Sequence, residues 1–282
     1  MTAGVPVASY ETGTGPDPEE VAGVDLGIIH PFALAGPDQG LLVSGRAIRA
    51  EHRRHLVEQR AWARALSKRA PTKGQAGSRR WRKSRARTRK LEDAHRRRVT
   101  QATHEGARAV VDVAVAAGIG TLVVGDPRGL LDKDAGRRQN LAVNNGRPGQ
   151  AIAALSDKAA RAGIGVELVD ERGTSSTCPN CRVKVAKPKG RRFSCAACGL
   201  VAHRDVVGAA NIASRGSRGG EPFDPSGLEL MHRRAGRHLP GRTRRDPRRV
   251  EMDHRRDSVG PWPAVARPEP LGESLDRDAP AA

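Results

Sequence analysis

The sequence predicts an α/β fold, in which a mixed sheet is flanked by helices and carries an inserted four-cysteine module. Two observations predict it. Apolar strand-like runs come first as a group of three and then alternate with helical patterns, and all four cysteines fall in one short window. The 282 residues include only three Trp, three Phe and one Tyr, so we expect a core of Val, Leu, Ile and Ala.

The first part of the fold is predicted to be an antiparallel meander of three strands. Residues 21–29 (VAGVDLGII) form an apolar, β-branched run with Asp25 in its middle. Residues 31–36 and 41–45 follow at hairpin spacing, and the turn residues GPDQG separate them. Residues 1–20 are rich in Gly, Pro, Thr and acids, which is typical of a disordered lead-in.

Helices and strands alternate after this meander. Residues 46–100 are charged and mostly helical by pattern, with a break at 71–77, and an apolar stripe at helical spacing then continues to Gly118. The apolar run 121–125 predicts a buried strand, and 165–169 predicts a further strand after another helix. This alternation favours parallel pairing between the later strands.

The last element of the predicted core is a helix of small residues at 206–213 (VVGAANIA), which could pack closely on a sheet. From residue 216 onward, Arg, acids, Pro and Gly predominate with almost no apolar clustering, so 216–282 is predicted to be a disordered tail. We therefore expect one core over 21–215. It would contain a basic helical insert at 46–100 and a metal ribbon at 174–203.

Positive charge is concentrated in one block of the chain. The sequence has 50 Lys and Arg against 31 Asp and Glu, a formal net charge of +19. Residues 46–98 alone carry 20 basic and 4 acidic residues, a net of +16. A general bias toward Arg explains part of the excess but not its position. Because guanidinium groups pair well with phosphate oxygens, this block predicts nucleic-acid binding.

Membrane and secretory classes are disfavoured. The sequence contains no apolar run of the ~18 residues that a membrane span needs. Its N-terminus lacks the basic region and apolar region of a secretory signal. Clustered cysteines favour a metal site in a reducing compartment over a disulfide framework, so we expect a cytoplasmic protein.

The cysteines form two Cys-x-x-Cys motifs, CPNC and CAAC, separated by thirteen residues. Pro179 and Gly199 lie where tight knuckle turns need them. The alternative, a redox-active Cys-x-x-Cys, rarely occurs as a matched pair. His203 is a weaker candidate ligand, because four thiolates already complete a tetrahedral site. The spacing predicts structural zinc bound by Cys178, Cys181, Cys195 and Cys198.

Four separated acids form a candidate site for a divalent cation. Asp25 lies in an apolar run, where a buried carboxylate is costly unless it is paired or binds a metal. Asp126 ends one predicted strand, Glu171 follows another, and Asp205 begins the helix after the cysteines. Such acids can converge on Mg²⁺, and two Mg²⁺ ions can support phosphodiester cleavage. Taken alone, Asp126 is better explained as Asp-Pro turn chemistry.

Four segments resemble the TnpB-like family of transposon-encoded proteins, long described as transposases: GVDLGI, TLVVGD, VDERGTSSTCPNC and CGLVAHRDVVGAANI. The resemblance covers roughly residues 21–215. It implies an RNase H-like core of the RuvC type with a zinc ribbon. It also implies an RNA-guided DNA endonuclease that is linked to transposition, with DNA and a guide RNA as partners.

Carried over residue by residue, the resemblance assigns Asp25 as the first catalytic aspartate and Asp205 as the last. Glu171 is the expected middle acid, with Asp126 in reserve, and the catalytic set would bind magnesium. The sequence departs from the family in one respect, because members carry a sizeable N-terminal part ahead of the first aspartate. The alternative is therefore a truncated, catalytically inactive remnant that acts only as a zinc-ribbon nucleic-acid-binding protein.

Overall fold

The computed structural model of the chain describes residues 16–127, 146–186, 190–217 and 224–239. The strands are β1 (Asp17–Asp25), β2 (Phe32–Ala35), β3 (Gln39–Ser44), β4 (Ile119–Asp126), β5 (Gly165–Asp170), β6 (Arg192–Ser194), β7 (Val201–His203) and β8 (Glu229–Arg234). The helices of the described residues are α1 (Arg46–Ser67), α2 (Arg79–Ala116), α3 (Pro148–Arg161) and α4 (Arg204–Ala213).

Six strands form one mixed sheet in the order β5-β4-β1-β2-β3-β8. Strands β1, β2 and β3 pair as an antiparallel meander, and β4 and β5 add to it in parallel. Strands β6 and β7 form a separate two-stranded ribbon in the cysteine region. The predicted mixed α/β fold with an inserted ribbon is confirmed.

Helices cover both faces of the sheet. The buried sides of α2 and α3 pack against β1 and β2 on one face. On the other face, α4 contacts β2 and β3 through Val206, Ala209 and Ala210. The backbones of β1 and α4 approach so closely that a Cβ at Gly23 would lie 1.9 Å from the Ala209 carbonyl oxygen. The close packing expected of the small-residue helix is therefore present.

Strand β1 differs from its prediction at both ends. It begins at Asp17, where the backbone N–H donates to the Gly118 carbonyl at 3.0 Å, and the Thr121 hydroxyl donates to the Pro18 carbonyl at 2.7 Å. The disordered lead-in predicted for residues 1–20 is thus wrong for 17–20, and residues 1–15 lie outside the described part of the chain. The strand also stops at Asp25, so this acid lies at a strand end and not in the middle.

Strand β8 is a second difference, because it lies within the segment 216–282 for which disorder was predicted. Its six residues pair in parallel with β3, from Gln39 opposite Glu229 to Ser44 opposite Arg234. Leu228 and Leu230 pack against the apolar cluster below α4. The prediction of disorder is wrong for this strand, while 218–223 and 240–282 lie outside the described residues.

The basic block forms a pair of long helices. Helix α2 runs without interruption from the basic residues into the apolar stripe, and the break predicted at 71–77 falls between α1 and α2. Glu51 of α1 is buried and accepts hydrogen bonds from Arg98 of α2, at 2.9 and 2.6 Å, while His95 lies 3.1 Å away. These charge-assisted contacts fix α1 against α2. In the described part of the chain, no helix is long and apolar enough to cross a membrane.

Candidate active site

A cleft of about 800 Å³ opens at the carboxyl ends of β1 and β5. Asp25 ends β1, Glu171 directly follows β5, and both strands run parallel to β4 between them. Helix α4 begins at the same edge and places Asp205 in its first turn. The three acids expected to act together from sequence, Asp25, Glu171 and Asp205, therefore all line this cleft.

The Asp25 carboxylate lies directly over α4. A Cβ at Gly208 would lie 3.2 Å from Asp25 Oδ2, a tight contact that the absence of a side chain at Gly208 avoids. Burial raises the pKa of Asp25 to about 8, and the negative charges of Asp205 and Glu171 act in the same direction. The charges of Asp205 and Glu171 therefore both disfavour the ionised form of Asp25, an effect that a divalent cation would relieve.

The Glu171 side chain packs directly against Gly125 of β4. A Cβ at Gly125 would lie 3.1 Å from Glu171 Cβ and 3.2 Å from Oε2. Burial is the main cause that raises the pKa of Glu171 to about 7, and the negative charges of Asp126 and Asp170 raise it further. Its Oε2 atom is buried without a hydrogen-bond partner. An unpartnered buried carboxylate oxygen is unfavourable, and a bound cation would satisfy it.

Asp205 is in a different electrostatic state from the other two acids. Arg191, just before β6, donates through Nη1 to both carboxylate oxygens at 2.9 and 3.0 Å. His30 Nδ1 lies 2.8 Å from Asp205 Oδ2. Burial favours the protonated form, but the hydrogen bond with His30 and the charge of Arg191 together hold the pKa of Asp205 below its usual value. Asp205 is thus ionised at neutral pH.

Sequence reasoning missed both partners of Asp205. His30 belongs to the turn after β1, and one ring nitrogen of His30, one of His203 and a carboxylate oxygen of Asp205 lie within 4.8 Å of one another. The His203 ring caps α4, with Nδ1 accepting from the Asp205 N–H at 3.3 Å. Arg191 is one of several basic residues in the ribbon, so the sequence holds no signal that singles it out.

Asp126, the reserve acid, ends β4 and stands opposite Asp170 in the β4–β5 register. Its charge contributes to the raised pKa of Glu171. Among the described residues that line the cleft, however, Glu171 is present and Asp126 is absent. Of the two candidates for the middle acid, Glu171 is therefore the one that lines the cleft.

The cleft combines these acids with a surrounding group of basic side chains. They come from α1, from the start of α3, from the loop after β5 and from both ends of the ribbon. The arginines that line it are Arg49, Arg53, Arg147, Arg172, Arg191 and Arg204. Carboxylates that can hold a cation, ringed by guanidinium groups that can hold phosphate, suit a polyanionic substrate.

The four cysteines converge as their spacing predicts. One Sγ atom from each of Cys178, Cys181, Cys195 and Cys198 lies within 4.8 Å of the others. Two Sγ–Sγ distances are 3.5 Å, between Cys178 and Cys198 and between Cys181 and Cys195. A tetrahedral ion with ~2.3 Å metal–sulfur bonds needs sulfur atoms about 3.8 Å apart. The cluster could therefore hold such an ion, and His203 lies outside it, at the start of α4.

A buried amide connects the cleft to the cysteine ribbon. Asn211, in α4, donates through Nδ2 to the Thr174 carbonyl at 2.7 Å and to the Thr177 carbonyl at 2.8 Å. Thr174 in turn donates through its backbone N–H and its hydroxyl to the Glu171 carbonyl, at 3.2 and 2.8 Å. The sequence indicated local turn chemistry at residues 174–177, but not its attachment to α4.

Two family models match the chain in succession. A family described as probable transposase (OrfB_IS605) matches residues 5–131, and the Cas12f1-like TNB domain matches residues 149–212. The second match contains Glu171, all four cysteines and Asp205 in one continuous segment. Together, the two matches support a TnpB-like protein. The resemblance on which the sequence analysis relied is thereby confirmed.

Solved structures share the fold of this TnpB-like chain. A cryo-EM structure of a Cas12f1–sgRNA–target DNA complex matches with a TM-score of 0.53 and 17% identity, over 70% of this chain and 50% of that one. A CRISPR–Cas12f ternary complex matches with a TM-score of 0.55 and 18% identity, over 72% and 40%. The TnpB-like chain thus spans half or less of these proteins. No curated protein matches it.

Proposed function

We propose that this TnpB-like protein is a metal-dependent DNA endonuclease whose catalytic carboxylates are Asp25, Glu171 and Asp205. One observation carries the proposal. Three acids from three separate elements line one cleft, and they include a buried Glu171 oxygen that has no hydrogen-bond partner. Once ionised, the buried Asp25 and Glu171 carboxylates destabilise the fold unless they bind something positive, so a functional ligand is the simplest reason for their presence.

The donor set suits Mg²⁺, a hard cation that prefers carboxylate oxygens and keeps several waters. When bound, Mg²⁺ supplies an activated water and stabilises the leaving oxygen of a phosphodiester. Asp25 and Glu171, whose pKa values are raised to about 8 and about 7, would hold the cation in their ionised forms. Asp205, whose pKa is lowered, would hold it as a carboxylate that also accepts from Arg191.

The substrate proposed for this cleft is DNA, with a guide RNA as the second partner. The arginines that line the cleft would bind phosphates close to the carboxylates. The basic helices α1 and α2 offer a larger exposed surface beside it, where Arg85 lies 5.2 Å above the Trp81 ring. The family match and the RNA- and DNA-containing Cas12f structures support this assignment.

Structural zinc is proposed for the four-cysteine cluster, because its sulfur positions fit a tetrahedral thiolate site. The ribbon lies between Glu171 and Asp205 in the sequence. Zinc would therefore order a segment on which the relative position of two proposed catalytic acids depends.

A catalytically inactive nucleic-acid-binding protein is the second candidate. The contact of Arg191 with both oxygens of Asp205 favours it, since a guanidinium there supplies positive charge without a metal. This candidate shares the basic surface and the ribbon, so nucleic-acid binding does not separate the two functions. Cleavage does.

The deciding experiment is DNA cleavage by the purified chain, together with its copurifying RNA, over a Mg²⁺ titration. We expect cleavage by the wild type and none by Asp25→Asn. A matched control is Asp157→Asn, which removes the same charge from an exposed position on α3 and should leave cleavage intact. Nucleic-acid binding by the wild type without cleavage at any Mg²⁺ or Mn²⁺ concentration would establish the inactive alternative.

A further inference from the structure

Asn211 is placed where three parts of the protein meet. It is only 3% exposed and lies in α4, the helix that begins with Asp205. Its side-chain N–H groups hold two carbonyls on one short segment, those of Thr174 and Thr177. One side chain thus joins α4 to the segment that runs from Glu171 to the first cysteine knuckle.

Toward the cleft, the connection is short and made of hydrogen bonds. The Thr174 hydroxyl donates to the Glu171 carbonyl at 2.8 Å, and Thr174 begins a single 3-10 turn that ends at Ser176. Because Asn211 holds the other side of Thr174, moving this turn would move the backbone that carries the Glu171 side chain. The position of Glu171 relative to α4 therefore depends on this amide together with Arg215, just after α4. Arg215 donates to the Asp170 carbonyl and, at 2.9 Å, to the Arg172 carbonyl.

Toward the ribbon, the same amide holds the residue next to the first cysteine. Thr177 precedes Cys178 and pairs with Lys184 across the knuckle. The Cys178 N–H donates to the Val183 carbonyl at 2.9 Å, and the Val185 N–H donates to the Ser176 carbonyl at 2.8 Å. Ordering of the knuckle by a bound ion thus reaches Thr177, and through Asn211 it reaches α4.

We propose that Asn211 is a positioning residue that couples the four-cysteine site to the carboxylate cleft, so that an ion in one favours an ion in the other. The inference rests on the proposed function, since it needs a cation at the three acids. The physical basis is the backbone segment 171–177, which begins at Glu171 in the cleft and ends at the residue before Cys178 in the ribbon. A segment of this kind, ordered by either ligand, produces reciprocal linkage between them.

A second contact runs between the same parts and must be separated from the first. Arg191 joins the ribbon to Asp205 directly, at 2.9 Å. Its positive charge opposes a cation at the cleft, whereas Asn211 is neutral and holds only the backbone. Removal of the Arg191 side chain should therefore raise the cation affinity of the cleft, whereas removal of the Asn211 amide should lower it.

The test measures Mn²⁺ affinity from the electron paramagnetic resonance signal of free Mn²⁺, with zinc-loaded and with zinc-depleted full-length chain. In the wild type, we expect zinc removal to weaken Mn²⁺ binding by about 5- to 150-fold, the usual range for coupled sites. In Asn211→Leu, the zinc-loaded chain should bind Mn²⁺ as weakly as the zinc-depleted wild type. Removal of zinc should then change the Mn²⁺ affinity of Asn211→Leu by less than about twofold.

Ser214→Ala is the matched control, because Ser214 donates to the Asn211 backbone carbonyl on the same helix but not to the segment 174–177. It should keep the wild-type dependence on zinc. If Asn211→Leu fails to fold, Asn211→Ser replaces it, and amide exchange of residues 171–177 in the wild type, with and without zinc, gives an independent measurement.

If zinc changes the Mn²⁺ affinity of Asn211→Leu as much as that of the wild type, Asn211 has no coupling role. The same follows if zinc changes neither the Mn²⁺ affinity of the wild type nor its amide exchange at residues 171–177. A different failure belongs to the proposed function. If the zinc-loaded wild type binds no Mn²⁺, and Asp25→Asn does not differ from it, the three acids do not form a cation site.

Discussion

Arg191 donates through one nitrogen, Nη1, to both carboxylate oxygens of Asp205, at 2.9 and 3.0 Å. The contact joins the residue before β6 to the first turn of α4, and the Arg191 side chain is 29% exposed. A cation that approaches Asp205 must therefore share this carboxylate with a guanidinium or displace it. The ribbon thus contributes a charged side chain to the cleft as well as its four cysteines.

The first prediction concerns this guanidinium. Arg191→Gln should strengthen Mg²⁺ binding by about 15-fold, because one positive charge about 5 Å away opposes the doubly charged ion by roughly 1.7 kcal/mol even at the dielectric constant of water. Isothermal titration with Mg²⁺ measures the change, and the exposed neighbour Arg192→Gln is the control. Weaker Mg²⁺ binding in Arg191→Gln would show that the guanidinium supports the site.

The second prediction concerns the middle acid. Glu171→Gln should abolish Mg²⁺-dependent cleavage, whereas Asp126→Asn should reduce it less, because Glu171 lines the cleft and Asp126 acts through its charge. Cleavage rates at saturating Mg²⁺ compare the two variants directly. If Asp126→Asn is the more damaging change, the assignment of the middle carboxylate is wrong.

The third prediction follows from the raised pKa values of Asp25 and Glu171, about 8 and about 7. Without Mg²⁺, the folded state binds more protons at these groups than the unfolded state, so they reduce stability as pH rises from about 4 to about 8. Because binding of Mg²⁺ requires both acids to ionise, its affinity should rise over pH 6–9.

Thermal unfolding of the zinc-loaded chain in Mg²⁺-free buffer, followed from pH 6 to pH 9, tests this dependence. The midpoint should fall with pH in the wild type and fall less in Asp25→Asn, and added Mg²⁺ should restore it most at pH 8–9. Parallel pH curves for the two chains would show that Asp25 ionises normally.

The candidate acids, the order of elements along the chain and the cysteine ribbon could be predicted because each leaves a local signal. Apolar runs alternate with helical stripes, Asp126 and Glu171 stand at the ends of apolar runs, Asp25 is a lone acid among apolar residues, and cysteines recur at knuckle spacing. The order of the strands within the sheet leaves no such signal. Strand β8 (ELMHRR) has no such signal, because an edge strand is held by backbone hydrogen bonds to β3 and needs few apolar side chains. Asn211 and Arg191 act through tertiary contacts between segments distant in sequence, which one sequence does not reveal.

The fourth prediction concerns the basic block at 46–98. Affinity for DNA or RNA should fall steeply with salt and depend little on sequence, because phosphate contacts release counterions and carry no base information. Replacing Arg82, Arg85 and Arg89 of α2 by Gln should lower the salt slope by up to about three. Fluorescence anisotropy at several salt concentrations measures this slope. A flat salt response in the wild type would exclude the block as a phosphate-binding surface.

The last prediction tests whether zinc holds the proposed catalytic acids in register. Glu171 and Asp205 have 33 residues between them, including the whole ribbon, yet both line the same cleft. Closing an unstructured loop of this length costs a few kcal/mol, growing as about (3/2)RT ln n. A structural zinc site contributes on the order of 10 kcal/mol of folding free energy, which is enough to offset that cost.

Replacing Cys195 and Cys198 by Ser should therefore lower Mg²⁺ affinity and cleavage together. Strands β1 and β4 should keep their protection from hydrogen exchange, because their core is formed with α2 and α3 and not with the ribbon. Ser194→Ala, an exposed change in β6, controls for disturbance of the ribbon itself. Cleavage at the wild-type rate after zinc loss would separate the two sites and leave the ribbon as an independent binding module.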